Sequence, residues 1–481
     1  MGKRHNSHIR EPYRLPEPLY CDPADIPESG PDMEMIDKYI RLHTDYMRRY
    51  EYLESLYKGF HDIFRQPEKH EWKPDWRLAI NFPRYITDTF CGYGYSIPPK
   101  VAHEDEIVDE GIQTFEDANE IEAHTTIMTK YCCIYGHAQE YMYQDEESRT
   151  NVVACSPKEL FTVYDDTMKR RALFSIRYGR HSIGDNKGEI YGEVLMPHMY
   201  RSFDSGKLGE TVPNPYGRIP VVEWMLNPER MGLYEPVTGL IEMYNHTISE
   251  KTNDVDAFAE AILAVIGAEV QQEDLENMRD KRLVNLYGAE NVKDALVQYL
   301  TKPTADDTQE HLLDRAERLI YQIAMVANIS DDTFGSSTSG AALSYKLWST
   351  SNITGTFDTL IKKSLRKRYK LWCSLPTNCP RDDIWKDLTI TTTRNVPRNI
   401  QEETQTASQA EGLVSRKTQL SLLSYVPDPD AEMEQIVREQ EEMEARNEER
   451  MNRLYGGDDA VIQTEGATDD GEDEQGILDG A

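Results

Sequence analysis

The segment DDTFGSSTSG, residues 331–340, is the most informative for the fold, because it separates two long amphipathic patterns. Before it, apolar residues recur at helical spacing from Leu312 to Ala327, and after it they do so from Leu343 to Tyr369. A loop so polar and rich in glycine cannot form core, so it is either an ordinary helix connection or a functional loop held by the two helices. Its residues are Asp331, Asp332, Thr333, Phe334, Gly335, Ser336, Ser337, Thr338, Ser339 and Gly340.

The chain is long and strongly acidic. Its 481 residues suffice for several domains with a sizeable core, and its formal net charge is −32 with a pI near 4.8. Such a charge argues against a protein that grips nucleic acid through basic patches, so any contact with DNA should be loose. The seven cysteines are sparse and unevenly spaced, which favours a reducing compartment over a disulfide-rich secreted fold.

No membrane association is expected. The first ten residues are basic and polar, and prolines rather than an apolar run follow them, so no secretory signal is predicted there. The most apolar stretch, residues 257–266, is far shorter than the ~20 residues that a membrane span needs, and it contains Glu260.

The first half of the chain predicts an α+β domain. Apolar residues at helical spacing predict an amphipathic helix over 33–60. Short segments rich in β-branched and aromatic residues, separated by turn residues, predict strands at 151–155, 160–164, 173–178 and 190–195.

The second half predicts two long helices joined by a small module. After a turn-rich segment at 214–220 and a buried strand at 221–225, a helix should begin near Pro236 and run through Ile266 to Gly267. Residues 267–306 form a compact insertion with two short helical patterns, 273–286 and 289–299, before the next long helix. Two helices carrying a module describe a protruding arm, and the apolar stripe on each helix needs neighbours to bury it. An assembly is therefore expected.

In four segments the sequence resembles the portal proteins of tailed bacteriophages, particularly those of siphophages that infect Gram-positive bacteria. The segments are 81–95 with Gly92-Tyr93, 214–256 (NPYGRIPVVEWMLNPERMGLYEPVTGLIEMYNHTISEKTNDVD), 334–347 with Ser339-Gly340-Ala341, and 395–434. They are spread over most of the chain in the order found in that family.

The resemblance implies an α+β portal fold with a wing, a helical stem, a small α/β clip and a helical crown, assembled as a ring. The implied boundaries are wing 1–233, stem helix 234–266, clip 267–306, stem helix 307–330, tunnel loop 331–340, long wing helix 341–375, wing strand region 376–400 and crown 401–455. Residues 456–481 follow no clear family pattern; their many carboxylates and lack of Lys and Arg predict a disordered acidic tail.

The implied function is a dodecameric head-tail connector at one capsid vertex, through which double-stranded DNA enters and leaves. The implied partners are the large terminase, the major capsid and scaffolding proteins, and a head-completion or adaptor protein. Assembly would take place in the host cytoplasm, and the mature protein would be part of the virion. No enzymatic activity, cofactor or metal is expected.

Carboxylates on the two predicted stem helices are candidates for the channel wall, because repeated acidic groups repel phosphates and let DNA slide. The alternative is that each one only solvates the outer face of its helix. The candidates are Glu242, Glu250, Asp254, Glu260, Glu310, Asp314 and Glu317.

The basic run and Phe334 each allow two interpretations. The only dense basic run, residues 362–370, could pair with another subunit or stabilise a helix end, or it could bind phosphate. Phe334 could contact passing DNA or pack on a neighbouring loop. Asp331 and Asp332 offer too few fixed oxygens for a cation, and Gly92-Tyr93-Gly94 lacks the features of a phosphate loop. The rival functions are a carboxylate-rich enzyme, for which no set of groups stands out, and another non-enzymatic virion or adaptor protein.

Overall fold

The computed structural model describes residues 15–70, 73–184, 186–259, 263–266, 296–299, 306–329, 345–395, 400–423, 425–426 and 428–455. It divides into two compact units, Met1–Val396 and Pro397–Ala481. Among the described residues, no helix is long and apolar enough to cross a membrane.

The first unit has mixed α+β structure. Its helices are α1 (Met33–Thr44), α2 (Met47–Tyr57), α3 (Phe82–Tyr95), α4 (Glu106–Ala118), α5 (Ile121–Tyr135), α6 (Thr238–Ala259), α7 (Asp306–Ala324) and α8 (Trp348–Trp372). Its strands are β1 (Leu19–Cys21), β2 (Lys100–Ala102), β3 (His137–Gln144), β4 (Thr150–Cys155), β5 (Leu160–Asp165), β6 (Ala172–Arg180), β7 (Ile190–Leu195), β8 (Met199–Asp204), β9 (Lys207–Pro213), β10 (Val221–Met225), β11 (Leu263–Ile266), β12 (Leu296–Tyr299) and β13 (Thr389–Thr391).

The described strands form four sheets. A six-stranded sheet has the order β1-β5-β6-β7-β8-β9, and a three-stranded sheet has the order β10-β3-β4. The pairs β11-β12 and β13-β2 are antiparallel. Strand β5 has no exposed residue, whereas β6 exposes Ala172, Arg177 and Arg180.

Two apolar cores hold this unit together. The smaller one packs Ile36 and Ile40 of α1 against Phe161 and Phe174 of the six-stranded sheet. The larger one surrounds the three-stranded sheet and joins α2, α3, α5 and α8 through fully buried side chains such as Phe90, Trp224 and Phe357. Burial of this size is the main term that stabilises the fold.

One glycine is required by close packing. Gly136 ends α5 in the left-handed region at φ 89°, and a Cβ there would lie 2.1 Å from the carbonyl oxygen of Arg230. Only glycine accepts both the conformation and the approach. This contact fixes α5 against the chain that leads into α6.

The second unit is helical where it is described. It consists of α9 (Ile400–Gln409), α10 (Arg416–Ser421) and α11 (Pro429–Tyr455). The side chain of Ser415 accepts a hydrogen bond from the Thr418 N–H and caps α10. These helices fall within 401–455, where a helical crown was predicted.

The predicted strands at 151–155, 160–164, 173–178, 190–195 and 221–225 are confirmed by β4, β5, β6, β7 and β10. The single helix predicted over 33–60 is wrong: α1 ends at Thr44 and α2 begins at Met47. The break is local, because the Tyr46 N–H donates to His43 O in a three-residue turn.

The first long helix was predicted to reach Ile266, and this is also wrong at its end. Leu263–Ile266 is a strand that pairs with Leu296–Tyr299, so the helical pattern predicted to run up to Tyr299 is wrong there as well. A short apolar run with Val and Ile suits a buried helix turn and a strand equally well, and only a distant partner segment decides between them.

Candidate functional site

The two predicted stem helices, α6 and α7, are packed together against α3. The ring of Phe82 in α3 lies 5.1 Å from Tyr244 of α6 and 5.8 Å from Tyr321 of α7, both in edge-to-face geometry. Lys251 of α6 and Glu310 of α7 form an ion pair between the helices. Strand β11 follows α6 and pairs with β12, so the chain leaves the helix pair and returns beside its point of departure.

A polar ladder fixes α6 to the extended segment 76–80. The Trp76 N–H donates to Asn253 Oδ1 at 2.6 Å, the Leu78 N–H to Ser249 Oγ at 2.9 Å, and the Ile80 N–H to Asn245 Oδ1 at 2.8 Å. The three helix residues are four positions apart, which places them on one face, and all are buried. Their side chains satisfy backbone groups that no strand partner serves.

The ladder determines where the α6 carboxylates point. Glu242 accepts from His61 Nδ1 at 2.8 Å and from the Asp62 N–H at 3.1 Å. Glu250 pairs with Lys69 at 2.7 Å. Asp254 also has an interaction partner, and the predicted Glu260 lies outside the described residues. Glu242 and Glu250 are thus held by the segment that precedes the ladder.

The α7 carboxylates are more exposed. Asp314 is exposed and forms no ion pair with a described residue, whereas Glu317 accepts from Asn328 Nδ2 at 3.2 Å. Burial and then the charges of Glu317, Asp314 and Glu310 raise the pKa of Tyr244. Three carboxylates of α7 therefore lie near Tyr244, and the same helix also carries the exposed cations Arg315 and Arg318.

The polar loop 331–340 lies outside the described residues, but its flanks are anchored. Helix α7 ends at Ala324, and Met325 takes a left-handed conformation at φ 57° that redirects the chain. The Ala327 N–H then donates to Thr350 Oγ1 at 3.0 Å, and the Ile329 N–H donates to Tyr85 Oη at 2.8 Å. After the loop, Tyr345 and Trp348 are exposed by 79% and 64%.

The cations of the basic run, residues 362–370, fall into two sets, one buried and one lining a groove. Arg368 is fully buried and forms a double hydrogen bond to Glu140, which His124 also contacts at 3.0 Å. The other cations lie on the opposite face of α8. They line an open groove of ≈ 450 Å³ formed by Thr359, Lys362, Lys363, Arg366, Lys367, Lys370 and Trp385.

Glu140 is ionised in the core because its partners outweigh its burial. Burial alone raises its pKa, but Arg368 and His124 lower the pKa to about 2. A second buried network joins Glu223 to Arg230 at 2.7 Å and to Tyr164 at 2.9 Å, and it lowers the pKa of Glu223 as well. Both networks connect the three-stranded sheet to neighbouring elements. In each network the buried charges are paired with one another.

Two features of the structure were not predicted from the sequence. The ladder residues Asn245, Ser249 and Asn253 have a readable signal, since polar residues repeat every fourth position of a helix. The exposed aromatic residues after the loop have none, because their exposure depends on how α8 packs. All seven cysteines are buried and free.

Comparisons with known proteins agree with this architecture. Residues 36–446 match the family described as "Phage portal protein, SPP1 Gp6-like". The portal protein of Bacillus phage SPP1 is 22% identical over 510 residues, which cover 98% of this chain and 96% of that protein.

Two solved structures of GTA particle necks are also similar in part. One is described as the neck of a native GTA particle with C12 symmetry; it is 11% identical with a TM-score of 0.42, and the match covers 72% of this chain and 90% of that one. The other, from an empty GTA particle with C6 symmetry, is 11% identical with a TM-score of 0.43 and covers 70% and 89%. The family match alone spans most of the sequence, and the chain therefore belongs to the SPP1 Gp6-like family of phage portal proteins.

Proposed function

We propose that twelve copies of this chain form the ring at one vertex of a phage capsid, and that DNA passes through the ring during packaging and ejection. In this proposal the large terminase supplies the motor, and a head-completion or adaptor protein closes the channel later. The major capsid and scaffolding proteins hold the ring in the shell. Assembly takes place in the host cytoplasm, before the ring becomes part of the virion.

The exposed apolar residues of the helix pair carry this proposal. Val255 on α6 is 63% exposed, and Leu312 and Ile323 on α7 are 41% and 47% exposed. Apolar residues on several turns of paired helices favour burial against neighbouring copies. Contacts repeated from one copy to the next close into a ring.

Within the ring, α6 and α7 serve as the stem, and the chain between them serves as the clip that docks terminase. Residues 331–340 serve as the tunnel loop, 341–375 as the long wing helix and 401–455 as the crown. The wing comprises 1–233 and the strand region 376–400, and 456–481 is an acidic tail. The anchored flanks of the tunnel loop support its role, because they present it from fixed points.

The exposed α7 carboxylates favour passage without adhesion. Asp314 repeated around a ring would repel phosphates over a distance of about 8 Å at physiological salt, and Glu317, which accepts from the neutral Asn328, would add to this effect. Glu242, Glu250 and Glu310 support this role less, because they are engaged by His61, Lys69 and Lys251. We therefore assign the channel wall mainly to α7.

The direct test is the state of the purified chain. Light scattering after gel filtration should give a mass about twelve times the 55.5 kDa of one chain, and negative-stain images should show rings. The rings should then restore DNA packaging to an extract that lacks its own portal but contains terminase and proheads. A stable monomer would contradict the ring. Rings that bind proheads without supporting packaging would favour another virion structural or adaptor role.

A further inference from the structure

The outer face of α8 presents positive charge that the described part of the chain does not neutralise. Lys362, Lys363 and Arg366 form no ion pair with any described carboxylate, although the whole chain has a net charge of −32. They lie opposite the face of α8 that buries Phe357, Ile361 and Leu365. We call the groove residues Thr359, Lys362, Lys363, Arg366, Lys367, Lys370 and Trp385 the basic stripe.

The cations of the basic stripe crowd one another. Burial lowers the pKa of Lys367, and Lys363 and Lys370 lower it further against the opposing effect of Glu223. Lys370 lies over the Trp385 ring at 5.0 Å, so one end of the stripe is held in place. An anionic partner would relieve this repulsion and would find a partly ordered site.

A surface of the opposite charge lies on α4 and its flanks. Residues 104–122 contain nine carboxylates and no Lys or Arg. Asp105, Asp109 and Glu116 are engaged within the chain, by the Ile107 N–H, the His103 N–H and the Tyr369 hydroxyl. The remaining six are at the surface and form no ion pair with a described residue. We call these six the acidic face: Glu104, Glu106, Glu110, Asp117, Glu120 and Glu122.

The basic stripe and the α4 part of the acidic face have the same length, and they lie at different places on the first unit. From Thr359 to Lys370 and from Glu106 to Asp117 the helix rises by roughly 17 Å in each case. Helix α4 packs its Phe115 side against Tyr369 and Trp372 of α8, so its acidic face points away from the α8 core contact. Ile107, 79% exposed, adds an apolar contact on the acidic side.

We infer that the basic stripe of one copy docks on the acidic face of the next copy. The pairing is heterologous, with a different surface on each side, and such contacts close into rings when the rotation permits. A second copy is favoured over DNA because it brings six carboxylates that form no ion pair with a described residue, three of them on a helical segment as long as the basic stripe, whereas the chain as a whole repels phosphates. The inference rests on the proposed ring and specifies which surfaces join its subunits.

Charge reversal provides the test. Lys362→Glu with Lys363→Glu gives variant A, and Glu106→Lys with Glu110→Lys gives variant B. Each variant alone places like charges across every contact, so the ring fraction measured by light scattering should fall about tenfold or more. When A and B are mixed, each reversed surface meets a complementary one, and rings of alternating copies should reappear.

Matched controls change the net charge equally elsewhere. Lys187→Glu with Lys207→Glu controls for A, and Glu146→Lys with Glu147→Lys controls for B; all four residues are exposed. Both controls should form rings at the wild-type level. Recovery on mixing also shows that A and B are folded, since misfolded chains would not regain assembly together.

A cross-link covers the case in which a reversed variant does not fold. Lys363→Cys with Glu110→Cys in one chain should give a ladder of covalent oligomers on mild oxidation, because the native cysteines are all buried. Either single cysteine variant should give no ladder beyond a dimer. Absence of the ladder in assembled rings would contradict the proposed contact.

The outcomes separate the inference from the proposed function. If both A and B form rings at the wild-type level, the inference is wrong and the proposed ring still stands. If A assembles normally but loses affinity for a short DNA duplex in fluorescence polarisation, the stripe binds phosphate and the inference is wrong. A wild-type chain that stays monomeric overturns the ring and the inference with it.

Discussion

At the scale of single residues, the polar ladder on α6 shows how side chains can replace a strand partner. Ser249 is fully buried, and its Oγ accepts from the Leu78 N–H at 2.9 Å. Its single O–H proton has two acceptors within reach, the Asn245 carbonyl at 2.7 Å and the Leu78 carbonyl at 3.2 Å. Loss of that hydroxyl leaves the Leu78 N–H, in the middle of an extended segment, without its partner.

Ser249→Ala should therefore lower the free energy of unfolding by about 1–3 kcal/mol. Urea denaturation followed by tryptophan fluorescence suits the measurement, since Trp76 belongs to the ladder. Thr247→Ala is the matched control, because the Thr247 hydroxyl donates only to Met243 within the same helix. Equal midpoints for the wild type and Ser249→Ala would mean that the ladder adds no stability.

His43 makes the stability of the first unit depend on pH. Its ring stacks on Phe161 at 4.4 Å and its Nδ1 contacts the Tyr178 hydroxyl at 2.9 Å. Burial, helped by the charge of His137, lowers its pKa from 6.5 to about 3. The unfolded chain then binds this proton from about pH 6.5 downward, whereas the folded chain does not until about pH 3. The stability contribution is present above pH 6.5 and is lost between these values.

His43→Gln should flatten the loss of stability between pH 6 and pH 4 by about 1.4 kcal/mol per pH unit, the value for one proton. Denaturant midpoints at several pH values would measure the slope. Tyr178→Phe is the control, because it removes the partner hydroxyl but keeps the titrating ring. It should lower stability by a similar amount at each pH and retain the wild-type slope. An unchanged slope in His43→Gln would exclude His43 as its source.

At the scale of elements, the sequence predicts what local patterns determine. Segments rich in β-branched and aromatic residues between turns located β4 to β7, and helical periodicity located α6, α7 and α8, although the helix predicted to reach Ile266 ends at Ala259. It failed where a partner distant in sequence decides the outcome. Leu263–Ile266 became a strand because Leu296–Tyr299 pairs with it.

The same limit applies to the candidate site. The α6 carboxylates are recognisable as a charged helix face from sequence alone. That Glu242 binds His61 and Glu250 binds Lys69 depends on contacts about 181 positions apart in the chain. Likewise, Arg368 cannot be distinguished from its neighbours in the basic run until β3 places Glu140 beside it. Local periodicity does not contain these pairings.

The segment between β11 and β12, residues 267–295 of the proposed clip, can be replaced while both strands are kept. Replacement of residues 267–295 by a short Gly-Ser linker keeps both strands, so α6 and α7 should remain paired. We expect rings of normal size but no terminase-dependent packaging, because the docking surface is gone. The control is an equivalent Gly-Ser replacement of 182–188 in the β6-β7 connection, which should leave packaging unchanged. Normal packaging without 267–295 would refute its assignment as the clip.

At the scale of the whole molecule, the proposed ring would repeat every surface charge by symmetry. A single exposed carboxylate contributes little, but the same group on every subunit of a ring gives a continuous band of negative potential. Such a band would weaken the adhesion of DNA, although α7 also carries the exposed Arg315 and Arg318. Weak contact therefore has to come from small neutral groups, and the loop 331–340 supplies five hydroxyls and only two carboxylates.

Adding cations to that loop should convert sliding into adhesion. In Ser337→Arg with Ser339→Arg, every subunit would present two guanidinium groups, and each phosphate contact adds affinity that falls as salt rises. We expect rings to form normally while packaging slows or stalls with DNA retained, and the defect should lessen as salt is raised. The measurement is the packaged DNA length per particle at low and at moderate salt. Ser182→Arg with Thr211→Arg, which adds equal charge at exposed positions of the wing, should package normally at both. If the loop variant also packages a full-length genome at low salt, these residues do not face DNA, and 331–340 is an ordinary connection between α7 and α8.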